Sequence, residues 1–159
     1  TTMDLMPTCA RLAGTTEPQD RVIDGHDIRP LMIGEKDACS PYHAFFYYFM
    51  EQLQAVRCGR WKLHLARPNR RVFGDQQSPP AEEPLLFDLV VNPGETTNVT
   101  ADHPDVVAGL NALADEMRAD LGDTGMDAPG RRPAGWVENP TPWVMGDDSG
   151  PAGLAPCGC

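Results

Sequence analysis

Long apolar runs are missing from this chain of 159 residues: no stretch of about 18 apolar residues occurs, so no segment reads as a membrane span. Basic charge is scarce too. Thirteen Lys and Arg face 23 Asp and Glu, for a formal charge of -10, and a nucleic-acid binder needs the net basic footprint this chain lacks. Local basic clusters remain able to bind an anion. Paired cysteine spacing is also absent. Cys9, Cys39 and Cys58 lie far apart, and Cys157-Gly158-Cys159 has no second Cys or His pair at zinc-site spacing. No basic, apolar and small-residue leader follows Thr1, so this end does not reveal a compartment. What the chain has in plenty is Gly (15) and Pro (16), which predicts a small core with long loops.

The chain is organised around Leu53 to Leu65, LQAVRCGRWKLHL, two short apolar runs joined at Cys58-Gly59-Arg60. Trp61, Leu63 and Leu65 alternate with Lys62 and His64, the period of two of a strand with one buried face, and the glycine corner predicts a hairpin. Further apolar runs, Ala44 to Met50 and Leu85 to Val91, supply the other strands. Asn92-Pro93-Gly94-Glu95 reads as a strong turn, with Gly94 taking the left-handed conformation. Val106, Leu110, Leu113, Met117 and Leu121 then recur at helical spacing between Pro104 and Gly122. One such helix on a sheet of about four antiparallel strands gives an α+β architecture.

Before the sheet, Thr1 to Ala13 reads as a helix with Leu5, Met6, Cys9 and Leu12 on one face, Cys9 as a small core residue, and Pro7 confined to the first turn. A helix opening at the first residue suggests that something precedes it. Ile28, Leu31, Met32 and Ile33 read as a helical turn capping the core. After the last helix, 13 of 37 residues are Gly or Pro, and the region reads as a tail pinned by Trp136 and Trp143 and disordered past Met145. The expected divisions are 1-37, a helix and connector; 38-122, sheet and helix; and 123-159, the tail.

Taken in order, MDLMPTCARLAG, VIDGHDIRPLMIG, AFFYY, LQAVRCGRWKLHL, LLFDLVVNPGETTNV and HPDVV resemble the C-terminal part of a sulfatase of the arylsulfatase type, within the alkaline-phosphatase superfamily. The resemblance covers roughly Met3 to Leu121. It implies a hydrolase of sulfate esters that uses a formylglycine and a divalent cation, usually calcium, both held by a larger N-terminal α/β domain. On that basis 1-37 ends the larger domain, 38-122 is the C-terminal subdomain, and the partner is the remainder of the sulfatase. The implied substrate is a sulfated small molecule or glycan, and the implied location periplasmic, secreted or lysosomal.

No catalytic or metal-binding residue is expected in the chain itself. Cys39-Ser40-Pro41-Tyr42-His43 follows the family's modification motif until its last position, where His43 replaces Arg. It also lies after the MDLMPT segment, where the family does not place its nucleophile. The candidate substrate-lining residues are Lys62 and His64 on one strand face, and Arg67, Arg70 and Arg71 in the loop Ala66 to Pro84, whose guanidinium groups suit tetrahedral oxyanions. Solvated surface charge accounts for the three arginines as well, and the polar outer face of a half-covered sheet for Lys62 and His64. Asn98-Val99-Thr100 fits a glycosylation acceptor. Two functional readings stand: the C-terminal portion of a sulfatase, inactive alone, or a self-contained, non-catalytic binding module with the same fold. An exposed apolar face on the first helix distinguishes the former. A metal-binding chain using Cys157 and Cys159 is a third.

Overall fold

The computed structural model describes residues 1-67, 82-132 and 138-140. Four antiparallel strands, β1 (Phe45–Phe49), β2 (Gln52–Cys58), β3 (Trp61–His64) and β4 (Leu85–Asp88), lie side by side in sequence order. The expected hairpin is the centre of this sheet. Cys58 pairs with Trp61, leaving Gly59 and Arg60 as a two-residue turn, and Gly59 takes φ +55°, a conformation that costs glycine little. Val56, Leu63 and Leu86 stand opposite one another across three strands and are fully buried. A bulge in the β1–β2 pairing, where Tyr47 opposes Ala55 and Tyr48 opposes Leu53, leaves Gln54 as an extra residue and so puts Leu53 on the same face as Val56.

Two strands are shorter than the apolar runs predict. Met50 leaves β1 for a tight turn at φ +54°. β4 stops at Asp88, because its carboxylate accepts the amide of Val90 and the chain turns back through an Asn92 N–H to Asp88 carbonyl bond of 2.8 Å, leaving Val90 and Val91 exposed. In the next turn Glu95, not Gly94, is left-handed, with φ +54°. The outer edge of β4 is closed by 98–100: the amide of Leu86 donates to Asn98 Oδ1 and Thr100 Oγ1, and Val99 N–H donates to the Leu86 carbonyl. Asn98 of the glycosylation-like tripeptide thus also serves the edge of the sheet.

One face of the sheet is covered by a long helix (Pro104–Leu121), here α3 because two shorter helices, α1 (Leu5–Leu12) and α2 (Arg29–Met32), precede it. Pro104 opens α3 where a missing N–H costs nothing. Leu110 and Ala114 are buried with Leu53, Val56, Leu63, Leu65 and Leu86, while Val106, Leu113 and Met117 are half-buried around them. Each fully buried aliphatic side chain contributes about 1.5–3 kcal/mol. Leu121, expected in the stripe, is exposed because α3 ends there. The end is tied down by polar bonds instead: Asp123 accepts the Leu53 amide and pairs with Arg118, and the Tyr48 hydroxyl donates to the Gly122 carbonyl.

The N-terminal segment departs most from expectation. A 3-10 turn (Thr2–Asp4) leads into α1, and Pro7 sits in its first turn as the backbone requires. The apolar stripe of α1 faces solvent: Leu5 is 56% and Leu12 66% exposed, and Cys9, expected in the core, is exposed as well. Buried instead are Asp4, Pro7 and Thr8. Asp4 accepts the His26 amide at 2.9 Å and the Tyr42 hydroxyl, and Thr8 Oγ1 accepts the Ile28 amide at 3.1 Å. Gly25 permits this approach, since a Cβ there would lie 1.9 Å from the Met3 carbonyl oxygen. α2 does not cap the core; Leu31, Met32 and Ile33 are exposed. Trp136, Trp143 and the end of the chain lie outside the described residues.

Candidate functional site

The sheet face opposite α3 carries the polar residues singled out above. Alternation along β3 sends Trp61 and Leu63 to the core and Lys62 and His64 to the other face. Both reach the same carboxylate. Lys62 Nζ donates to Glu95 Oε1 at 2.6 Å, and His64 Nε2 lies 2.7 Å from Glu95 Oε2. Glu95 is delivered by the turn after β4, at the left-handed residue. It was not among the residues picked out from the sequence, although the Asn-Pro-Gly-Glu signal marked its turn. Aromatic rings frame the trio: Lys62 Nζ stands 4.9 Å from the Tyr47 ring centre, and His64 meets the buried Phe87 edge-on at 5.5 Å.

The charges set one another's ionisation. Burial pushes the His64 imidazole below its ordinary value; the Glu95 hydrogen bond opposes this, and the charges of Lys62 and Arg67 add to the depression. Burial would raise the Glu95 carboxyl, yet the hydrogen bonds from Lys62 and His64 outweigh it and hold it below the usual range. At neutral pH the arrangement is therefore ammonium, carboxylate and neutral imidazole, with a guanidinium close enough to be felt. Arg67 is not a solvated loop residue. It is 4% exposed, held directly beyond β3. Lys62, His64 and Arg67 are thus brought together, while Arg70 and Arg71 lie outside the described residues.

Asp4 makes a second polar centre, in a cavity it lines with Tyr42 and Tyr47. Burial would raise its carboxyl, but hydrogen bonds from the chain's amino terminus, the Tyr42 hydroxyl and the His26 amide prevail and hold it far below the usual carboxylate range. Its role is to fasten α1 to the connector and to the chain entering β1.

Cys39 is exposed in irregular chain, with His43 at the position where the modification motif has Arg. Among the described residues no three His, Cys, Asp or Glu side chains converge on a common point. Asp24, Asp27, Asp88, Glu95 and Asp123 are each engaged by a cation of the chain itself. No described helix is long and apolar enough to cross a membrane.

Comparison with known proteins identifies the family of this region. The family profile described as the C-terminal region of aryl-sulfatase matches residues 40–140. An arylsulfatase of Hemicentrotus pulcherrimus is 34% identical over 145 residues, covering 76% of this chain and 26% of the relative. A steryl-sulfatase of Mus musculus is 39% identical over 142 residues, covering 75% and 22%. The chain therefore spans about a quarter of the length of these relatives. A solved structure from work on glycosaminoglycan metabolism by Bacteroides thetaiotaomicron shares the fold, with a TM-score of 0.55 at 23% identity over 72% of this chain and 24% of that one.

Proposed function

Because the chain belongs to the C-terminal region of the aryl-sulfatases, we propose that it serves a sulfate ester hydrolase as a non-catalytic subdomain, completing the fold of a larger catalytic body and lining the approach to its substrate. The observation that carries this reading is the exposed apolar stripe of α1 beside a well-formed sheet and helix core. A self-contained module would bury such a stripe; a subdomain leaves it for the rest of its enzyme. The nucleophile and the metal belong, on this reading, to that body.

Lys62, His64 and Arg67 are the substrate-lining residues of this proposal, with Arg70 and Arg71 as its further members. Lys62 presents its ammonium beside Glu95 on this sheet face, with the Arg67 guanidinium close enough to act on His64, so a sulfate group would meet cationic side chains there. His64, neutral and held by Glu95, contributes hydrogen bonding without added charge.

Hydrolysis of a chromogenic aryl sulfate by the purified chain with calcium tests the reading, wild type against Cys39→Ala. The expected result is no turnover from either. Turnover that Cys39→Ala abolishes would make Cys39 a working nucleophile and overturn it.

A further inference from the structure

Asn98-Val99-Thr100 is the one tripeptide of the chain that meets the rule for N-linked glycosylation; Asn139-Pro140-Thr141 comes near it but carries the barred proline in the middle. A site of this kind must lie at the surface, because the group it receives is bulky. Asn98 meets that requirement. It is exposed in the segment that closes the outer edge of β4, and Thr96, Thr97, Ala101 and Asp102 around it are exposed as well.

The side-chain amide of Asn98 is engaged through its oxygen. Oδ1 accepts the Leu86 amide at 3.1 Å, the Thr100 amide at 3.1 Å and the Thr100 hydroxyl at 2.5 Å, whereas Nδ2 donates to none of the described residues. N-glycosylation changes only the nitrogen and leaves the oxygen able to accept the same three bonds. The sheet edge and a sugar therefore call on different atoms of one side chain.

We propose that Asn98 is an attachment site for an N-linked oligosaccharide, received when the chain meets an oligosaccharyltransferase. Nδ2 attacks the anomeric carbon of a sugar carried on a polyprenyl pyrophosphate. The bond from Nδ2 to that carbon forms as the bond from the carbon to the pyrophosphate oxygen breaks; the lipid pyrophosphate leaves, Nδ2 gives up one proton, and nothing is oxidised or reduced. The folded chain then carries the sugar without losing a bond at the edge of β4. A hydrophilic branch there shields the outer side of an edge strand, the side most open to pairing with another chain. The site is independent of the function proposed above and stands or falls without it.

The test is expression behind a cleavable secretory leader in animal cells, wild type beside Asn98→Asp, which keeps an acceptor oxygen at the sheet edge and has no nitrogen to modify. Protein from cells and medium is mapped by peptide mass spectrometry before and after peptide N-glycosidase, which releases the sugar and leaves Asp at position 98. The expected result is sugar on Asn98 in wild type and none on Asn98→Asp, with the glycosylated chain melting no lower than its enzymatically deglycosylated form. Unmodified Asn98 throughout the wild-type protein, or sugar that persists in Asn98→Asp, would overturn the proposal. A lower melting temperature for the glycosylated form would also overturn it, because the sugar would then be displacing the bonds to Oδ1.

Discussion

α3 lays Leu110 and Ala114 against the sheet, while α1, whose apolar residues are the more sharply segregated to one side, keeps Leu5, Met6 and Leu12 in solvent. The contrast is instructive because the helix with the cleaner stripe is the one whose stripe no described residue covers. Amphipathic spacing states that a face is made for burial; it does not state that the partner is in the same sheet. α1 is held by its other side, where Asp4 and Thr8 bond to the connector and Tyr42. Polar latching of the back of a helix leaves its apolar face available, which is what a subdomain that joins a larger body requires.

The largest effect that could break this comparison is a core truncation set against its α1 counterpart. Leu63→Ala, at a fully buried position in the middle of the sheet, should cost about 3 kcal/mol in urea unfolding, whereas Leu5→Ala on α1 should cost less than about 0.5 kcal/mol. Equal losses would mean that α1 packs on the core after all. Next in size is Asp4→Asn. Impairing a buried carboxylate that holds an amide and a hydroxyl should cost about 1–3 kcal/mol, with α1 amides exchanging faster while those of α3 keep their protection. Unchanged exchange in α1 would remove the latch from the account.

Acidification sharpens the picture. Asp4 and Glu95 are held below the usual carboxylate value in the fold, so the unfolded chain takes up these protons first; their stabilisation is present above about pH 4 and lost as the pH falls further. His64 is held below its ordinary value by burial; its contribution is complete above about pH 6.5 and declines as the pH falls through the folded-state value. All three act in one direction, so the melting temperature should fall steadily from pH 7 into the acid range. Glu95→Gln should lower the His64 pKa further in an NMR titration, because it removes the carboxylate that opposes burial, and should cost about 0.5–1 kcal/mol at neutral pH. A rise in that pKa would contradict the assignment. The smallest effect is Cys9→Ser, within about 0.5 kcal/mol because the side chain is exposed.

How much of this was readable in advance depended on distance along the chain. The alternation of Trp61, Leu63 and Leu65 and the glycine corner made the central hairpin legible, and the spacing of Val106, Leu110, Leu113 and Met117 did the same for α3. Lys62 and His64 could be placed on one face by period alone. Their shared partner could not, since Glu95 lies 31 residues beyond His64 and arrives through a turn whose geometry only the folded sheet fixes. Asp4 read as a charge near a helix start, because its partners, His26 and Tyr42, are 22 and 38 positions away. The end of β4 depended on a side chain, Asp88, competing for the backbone of its own strand. Cys9 was misplaced for the reason that separates α1 from α3: its stripe is sound, but nothing in the described structure covers it.

The most direct test of that central claim is the rate of thiol alkylation at Cys9, resolved from Cys39 and Cys58 by mass spectrometry, in the chain alone and with the Hemicentrotus pulcherrimus catalytic body added. The account predicts that Cys9 reacts as an accessible thiol in the chain alone and becomes protected when the body is present. Protection of Cys9 in the chain alone, or equal labelling with and without the body, would contradict it.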